Sequence, residues 1–139
     1  MPMLDDFVIH KIKDTTHLKN IKNNAPRRPD RFSIYPLTYI FISKEDKYLI
    51  KVGRSENPYY RLCKFNEQTR KYLNGLEFKP LIVIQAPMFL ENNIKRALKG
   101  SEYKISSRID GSTEVFHLKN FRYKKPMTIV NKVIKELCL

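Results

Sequence analysis

Three basic side chains near one end of a short hairpin are the residues of this sequence best suited to chemistry. Lys51, Arg54 and Arg61 fall in a segment whose pattern is two short strands followed at once by a helix. Lysine and arginine donate charge-assisted hydrogen bonds to phosphate oxygens. We therefore expect these three residues to contact a phosphodiester, and we expect Gly53 to let the backbone pass close to a ligand.

The elements that must position these residues can be predicted from the same segment. Alternating β-branched and aromatic residues predict strands at 39–43 and 47–53, joined by a polar turn. Residues 39 and 41 share one face of the first strand, and residues 49 and 51 share one face of the second. Asn57-Pro58 provides a helix cap followed by a proline at the first helical position. The arginine at 61 then lies in the first turn of that helix.

The remainder of the chain predicts one α+β domain with a closed core. The apolar run 78–85 indicates a central strand, and the segment 112–118 follows an irregular basic stretch. Helical spacing of apolar residues predicts helices at about 88–98 and 128–139. The last helix has enough apolar residues either to close the core or to form a dimer contact, and we favour core closure because a domain this small needs it.

Residues 1–36 are predicted to form a basic N-terminal arm, separate from a domain at 37–139. Pro26 and Pro29 restrict the backbone and favour extended structure. The basic residues of this arm could contact phosphate or could be merely solvated, and both interpretations stay open.

The charge balance favours a polyanionic partner. The 27 Lys and Arg residues exceed the 14 Asp and Glu residues by 13, and the pI is about 9.8. Such a charge gives salt-sensitive affinity for DNA or RNA, although a soluble protein can also be basic without that function. No long apolar run or signal peptide is visible, so we expect an intracellular protein, cytoplasmic or nuclear, with no membrane association.

Four segments, in order, resemble motifs of the GIY-YIG nuclease superfamily, most closely its phage and large-virus branch with a Lys-Ile-Gly-like second motif. Tyr39-Ile40-Phe41 resembles the first tripeptide and Lys51-Val52-Gly53 the second. Arg61, ten residues after Lys51, resembles the arginine on the first helix of the family. The segment 113–116, which contains Glu114, resembles its late glutamate segment. The likeness covers residues 38–118.

This resemblance implies a small three-stranded antiparallel sheet flanked by helices, here with the N-terminal arm and a C-terminal helix. It also implies hydrolysis of phosphodiester bonds in DNA with one Mg²⁺ or Mn²⁺ ion. Glu114 would be the metal ligand, and Arg61 would bind the phosphate as charge develops. A hard ion needs few protein carboxylates because substrate oxygens and waters complete its shell.

Phe41 departs from the family pattern, in which this position is a tyrosine that assists the attacking water. A phenyl ring cannot exchange a proton, so another group must act as the base or hydrolysis is impaired. Tyr39, Tyr59 and Tyr60 are the candidate replacements. Each also fits the ordinary role of a packed tyrosine with a solvated hydroxyl.

Further basic residues around these motifs are expected to contact the DNA backbone. These basic residues are Lys51, Arg54, Lys64, Lys95 and Arg96, and Gly53 of the second motif is expected to lie with them. Because the sequence shows no separate DNA-reading domain, we expect low sequence specificity unless the N-terminal arm or a dimer partner supplies it.

Three functions remain open at this point. The first is a metal-dependent DNA endonuclease. The second is a catalytically weakened nucleic-acid-binding module of the same fold, and the third is an interaction protein that binds an acidic partner. The oligomeric state does not follow from the sequence.

Overall fold

The computed structural model of the protein describes residues 3–21, 37–86 and 89–138. Nine regular elements occur in these ranges, together with short 3-10 turns at Leu4–Asp6 and Ser112–Glu114. The elements are β1 (Val8–Lys11), α1 (Thr15–Asn20), β2 (Leu37–Ser43), β3 (Leu49–Ser55), α2 (Pro58–Tyr72), β4 (Phe78–Gln85), α3 (Leu90–Ala97), β5 (Val115–His117) and α4 (Pro126–Leu137).

The strands form one antiparallel sheet in the order β1-β4-β2-β3-β5. The predicted α+β class is confirmed, but the expected three-stranded sheet is wrong because the sheet has five strands. The three central strands are those that the sequence predicted. The two additional strands are only four and three residues long, and strands of that length gain their stability mainly from the neighbour on which they pair.

One of the additional strands comes from the predicted arm. β1 pairs with β4 along Val8↔Gln85 to Lys11↔Ile82, so this part of the arm is an edge strand of the sheet. The basic and proline-rich part of the arm, residues 22–36, lies outside the described residues.

The helices cover both faces of the sheet. One face packs against α3 and α4 through a core that includes Ile40, Val52 and Ile94. The opposite face packs against α1 and α2 through a core that includes Phe41 and Leu62. Four apolar residues of α4 are buried, Ile129, Val130, Val133 and Ile134, so this helix closes the core as predicted.

The hairpin and the helix that follows it set the position of the candidate site. β2 begins two residues earlier than predicted, β3 is shifted two residues toward the C-terminus, and the predicted cap of α2 is present. The side chain of Asn57 accepts a hydrogen bond of 3.0 Å from the backbone N–H of Tyr60, and Pro58 occupies the first turn. Among the described residues, no helix has the length and apolar content needed to cross a bilayer.

Candidate active site

The pairing of β2 with β3 brings Tyr39 and Lys51, two of the predicted site residues, to one face of the sheet. Tyr39 lies opposite Gly53, and Phe41 lies opposite Lys51. Because side chains alternate along strands, Tyr39, Phe41 and Lys51 point toward the α2 side. The rings of Tyr39 and Phe41 stack with centroids 4.2 Å apart. The prediction that these two rings share a strand face is confirmed.

Gly53 is required by the tyrosine opposite it. A Cβ atom at this position would lie 2.2 Å from the hydroxyl oxygen of Tyr39 and 2.3 Å from its Cζ. The sequence predicts close approach of a ligand at this glycine, but the group that approaches it is this buried ring. The absence of a side chain at 53 therefore creates the space in which Tyr39 lies.

We expect Gly53→Ala to destabilise the fold by about 2 kcal/mol or more, since overpacking a filled core forces rings and backbone to move. Urea unfolding measures this cost. Tyr39→Phe should not relieve it, because the Cζ contact remains, whereas Tyr39→Ala should.

The matched control for this prediction is a double-mutant cycle. In the Tyr39→Ala background, addition of Gly53→Ala should lower the free energy of unfolding only slightly. An equal cost in both backgrounds would contradict the assigned contact.

Arg61 is linked to the sheet through Tyr39. Its guanidinium lies close enough to the Tyr39 hydroxyl to act on the pKa of that phenol, which it lowers. Burial raises the pKa of Tyr39 to about 12, and this effect exceeds the opposing influence of Arg61. Tyr39 is therefore a neutral phenol at physiological pH.

Lys51 is the most deeply buried cation of the site. Only 1% of the residue is exposed, and its Nζ lies 3.0 Å from Oε1 of Glu114. The ammonium also lies 5.4 Å from the ring centroid of Phe65. Burial lowers the pKa of Lys51, although the carboxylate partner opposes this shift. The expected phosphate contact is thus replaced by a structural one, because the ammonium is turned toward Glu114 and away from solvent.

Glu114 ends the 3-10 turn that precedes β5, and pairing of Val115 with Lys51 places it there. Its Oε1 accepts from Lys51 and its Oε2 from Lys95. Burial acts to raise the pKa of this carboxyl, but the two ammonium groups outweigh burial and hold it below its usual value. With 22% of its side-chain surface exposed, Glu114 is an ionised carboxylate at the edge of the cluster.

Gly111 allows this cluster to close. It has φ +78, and a Cβ atom there would lie 2.7 Å from Nζ of Lys51 and 3.0 Å from Oε1 of Glu114. Gly111, three residues before Glu114, is therefore a part of the site that the sequence did not predict.

Glu91 is a second carboxylate that sequence reasoning missed. Its Oε2 lies 3.0 Å from Nζ of Lys95, one turn later on α3, and the residue is only 8% exposed. The four charges therefore alternate in sign along a row from Glu91 through Lys95 and Glu114 to Lys51, which we call the charge row. The available signal was the Glu-to-Lys spacing of four residues, which usually marks a solvated helix face.

The remaining predicted residues lie around this cluster or away from it. Tyr59 is half-buried, and the neighbouring Cys63 thiol raises the pKa of its phenol. Tyr60 is 57% exposed. Lys64 lies 3.9 Å from the carboxylate of Asp110, which leaves it at the surface of α2.

Arg54 and Arg96 are both exposed. Alternation along β3 directs Arg54 to the face opposite Lys51 and Gly53. Arg96 lies on α3 with Nη1 3.5 Å from the side-chain oxygen of Asn93. These two arginines, together with Lys64, remain predicted backbone contacts, whereas Lys95 is held in the charge row.

Any metal at this site must be held with few protein ligands. Within residues 3–21, 37–86 and 89–138, no three His, Cys, Asp or Glu side chains come together in a way that could hold an ion. Glu114 is an ionised oxygen donor with an exposed edge, and Glu91 is joined to it through Lys95. One or two carboxylates, with waters and substrate phosphate, are the donor set typical of protein-bound Mg²⁺. Because both oxygens of Glu114 are paired with ammonium groups, the residues fit a single hard cation only where Lys95 gives up Oε2.

The fold and this cluster define a small basic α+β domain with a partly buried row of alternating charges. The chain belongs to the T5orf172 domain family, whose model matches residues 37–138. This phage-associated domain occurs in some homing-endonuclease-like proteins. Neither the curated proteins nor the solved structures include a match to the chain.

Proposed function

We propose that this domain is a metal-dependent DNA endonuclease with a GIY-YIG-type site. The observation that carries the proposal is the convergence of Tyr39, Lys51, Arg61 and Glu114, which come from β2, β3, α2 and the turn before β5. A guanidinium and an ionised carboxylate that both lie near the buried Tyr39 suit a phosphodiester better than a neutral substrate.

Arg61 is the group that binds the scissile phosphate. Its planar guanidinium can donate two parallel hydrogen bonds to the non-bridging oxygens, and these strengthen as negative charge grows. The buried ring of Tyr39 lies beside this guanidinium and limits the positions it can take. Tyr39 acts here as a positioning residue, since a phenol with a pKa of about 12 does not ionise at neutral pH.

Glu114 is the residue that would hold Mg²⁺ or Mn²⁺, with Lys51 fixing its orientation. When bound, such an ion polarises the phosphoryl oxygen and stabilises the leaving 3′-oxygen. Lys51 is fully buried and keeps Oε1 in place. Lys95 is partly exposed and contacts Oε2, so it is the partner that can move to a substrate phosphate and free that oxygen.

A catalytically weakened binding module is the second candidate. The specific observation in its favour is that Phe41 has no hydroxyl and that its neighbour Tyr39 stays protonated. Under this alternative the charge row serves to stabilise the fold. The excess of 13 positive charges then lets the protein bind DNA without cutting it.

A nicking assay with purified protein tests the proposal. Supercoiled plasmid, forked DNA and single-stranded DNA should be cut in Mg²⁺ or Mn²⁺, and EDTA should stop the reaction. Loss of the 3′-oxygen as leaving group predicts ends with 5′-phosphate and 3′-hydroxyl, which labelling by kinase and extension by polymerase distinguish.

Salt-dependent binding measured in parallel separates the alternatives. Binding of all three substrates without any cleavage would replace the endonuclease by the binding module. Failure to bind DNA at physiological salt would exclude both and leave the acidic-partner interpretation.

A further inference from the structure

Phe89 combines two unfavourable features immediately before α3. The residue is 54% exposed, and its backbone is left-handed with φ 82 and ψ −7. Among the described residues, only Asn74 and Phe89 have positive φ without being glycine, and asparagine tolerates that region far better than a bulky residue does. A large apolar ring held in water on a strained backbone needs a reason other than packing.

Asn93 holds Phe89 in this conformation. The carbonyl oxygen of Phe89 accepts a hydrogen bond of 2.7 Å from Nδ2 of Asn93 and another of 3.0 Å from its backbone N–H. These two hydrogen bonds from Asn93 fix the peptide group that follows Phe89. The exposed ring is therefore presented from a defined backbone position.

The position of Phe89 connects it to the candidate site. It lies two residues before Glu91, which begins the charge row. It also lies six residues before Lys95, which contacts Glu114. The ring thus stands at the start of the helix that supplies one side of the site.

Tyr60 has the corresponding position on α2. It is 57% exposed, it lies in the first turn of its helix, and it directly precedes Arg61. The side chain of Asn57 accepts a 3.0 Å hydrogen bond from its backbone N–H and so fixes this turn. Each of the two helices that contribute cations to the site therefore presents an exposed aromatic ring beside its functional residue.

We propose that Phe89 and Tyr60 stack on unpaired bases of the DNA that flank the phosphate bound by Arg61. The domain then takes single-stranded or branched DNA in preference to continuous duplex. Aromatic rings beside cations bind bases through their π-faces, which are covered in stacked duplex. The inference rests on the proposed function for the identity of the ligand, but it does not depend on hydrolysis.

Binding in EDTA tests the inference separately from cleavage. Forked DNA carrying 2-aminopurine in its unpaired arm is titrated with protein, and both affinity and fluorescence are recorded. Wild type should bind the fork at least about five-fold more tightly than intact duplex of equal length, with a change in fluorescence that reports stacking. Phe89→Ala should weaken binding of the fork by about five- to fifty-fold, in line with the cost of losing one stacked base.

Three further variants separate stacking from folding. Phe89→Trp should retain binding of the fork. Phe89→Gly should lose binding as Phe89→Ala does, yet unfold at a urea concentration no lower than wild type, since glycine adopts φ 82 without strain. Tyr103→Ala, which removes an exposed aromatic residue beside His117, should leave affinity unchanged.

Equal affinity of wild type for fork and intact duplex would overturn the inference and leave the endonuclease proposal standing. Unchanged binding in Phe89→Ala, or an equal loss in Tyr103→Ala, would also overturn it. Absence of binding to either DNA would instead remove the proposed function itself.

Discussion

Replacement of Glu114 by glutamine is expected to lower the rate of DNA cleavage by about 10³-fold or more while DNA affinity changes by less than about three-fold. Glutamine keeps an oxygen that can accept from Lys51 but loses the negative charge that would hold Mg²⁺ or Mn²⁺. Single-turnover cleavage and binding titrations in EDTA measure the two quantities separately.

The glutamine variant is preferred to Glu114→Ala because of the buried lysine. Alanine would leave the ammonium of Lys51 without its 3.0 Å partner in a position with 1% exposure, and removal of one member of a buried ion pair is strongly destabilising. Far-ultraviolet circular dichroism and urea unfolding establish that the glutamine variant is folded.

Glu67→Gln is the matched control, because Glu67 is exposed on α2 and the same charge is removed there. It should cut DNA at the wild-type rate. Cleavage at the wild-type rate by a folded Glu114→Gln protein would show that Glu114 does not bind the metal.

Replacement of Arg61 by lysine is expected to reduce kcat by about 10²-fold, and replacement by alanine by about 10²- to 10³-fold. Lysine retains the positive charge but cannot donate two parallel hydrogen bonds to one phosphate. Because the fork acts chiefly when charge develops, KM should change much less than kcat.

Arg70→Lys is the control for this experiment. Arg70 lies on the same helix, and its Nη1 is 3.0 Å from a carboxylate oxygen of Glu77, outside the candidate site. Equal rates for Arg61→Lys and wild type would contradict a bidentate role. A large rise in KM with unchanged kcat would instead assign Arg61 to substrate binding alone.

The strands and helices that the sequence predicts are those whose pattern lies within their own residues. The alternation in β2 and β3, the cap at Asn57 and the apolar run of β4 are local signals, and the structure confirms each of them. β1 and β5 were not expected as strands with these bounds, because so short a segment depends on its neighbour for both hydrogen bonds and burial. Their pairing is a property of the assembled sheet.

The candidate site was predictable in its residues but not in their partners. The resemblance marked Arg61 and Glu114, and the structure joins both to the same cluster through Tyr39 and Lys51. Neither the burial of Lys51 nor the role of Lys95 follows from spacing, since lysines at such positions are most often solvated. Glu91 and Gly111 were missed because their contribution exists only when α3 and the turn before β5 meet.

The fit of the Tyr39 ring against the α-carbon at position 53 limits the order in which substitutions can accumulate here. While the large ring is present, any side chain at 53 collides with it. A smaller residue at 39 must therefore arise first, and only afterwards does position 53 become free to vary. Relatives that retain an aromatic residue at the position of Tyr39 are expected to retain glycine at the position of Gly53, whatever nucleic acid they act on.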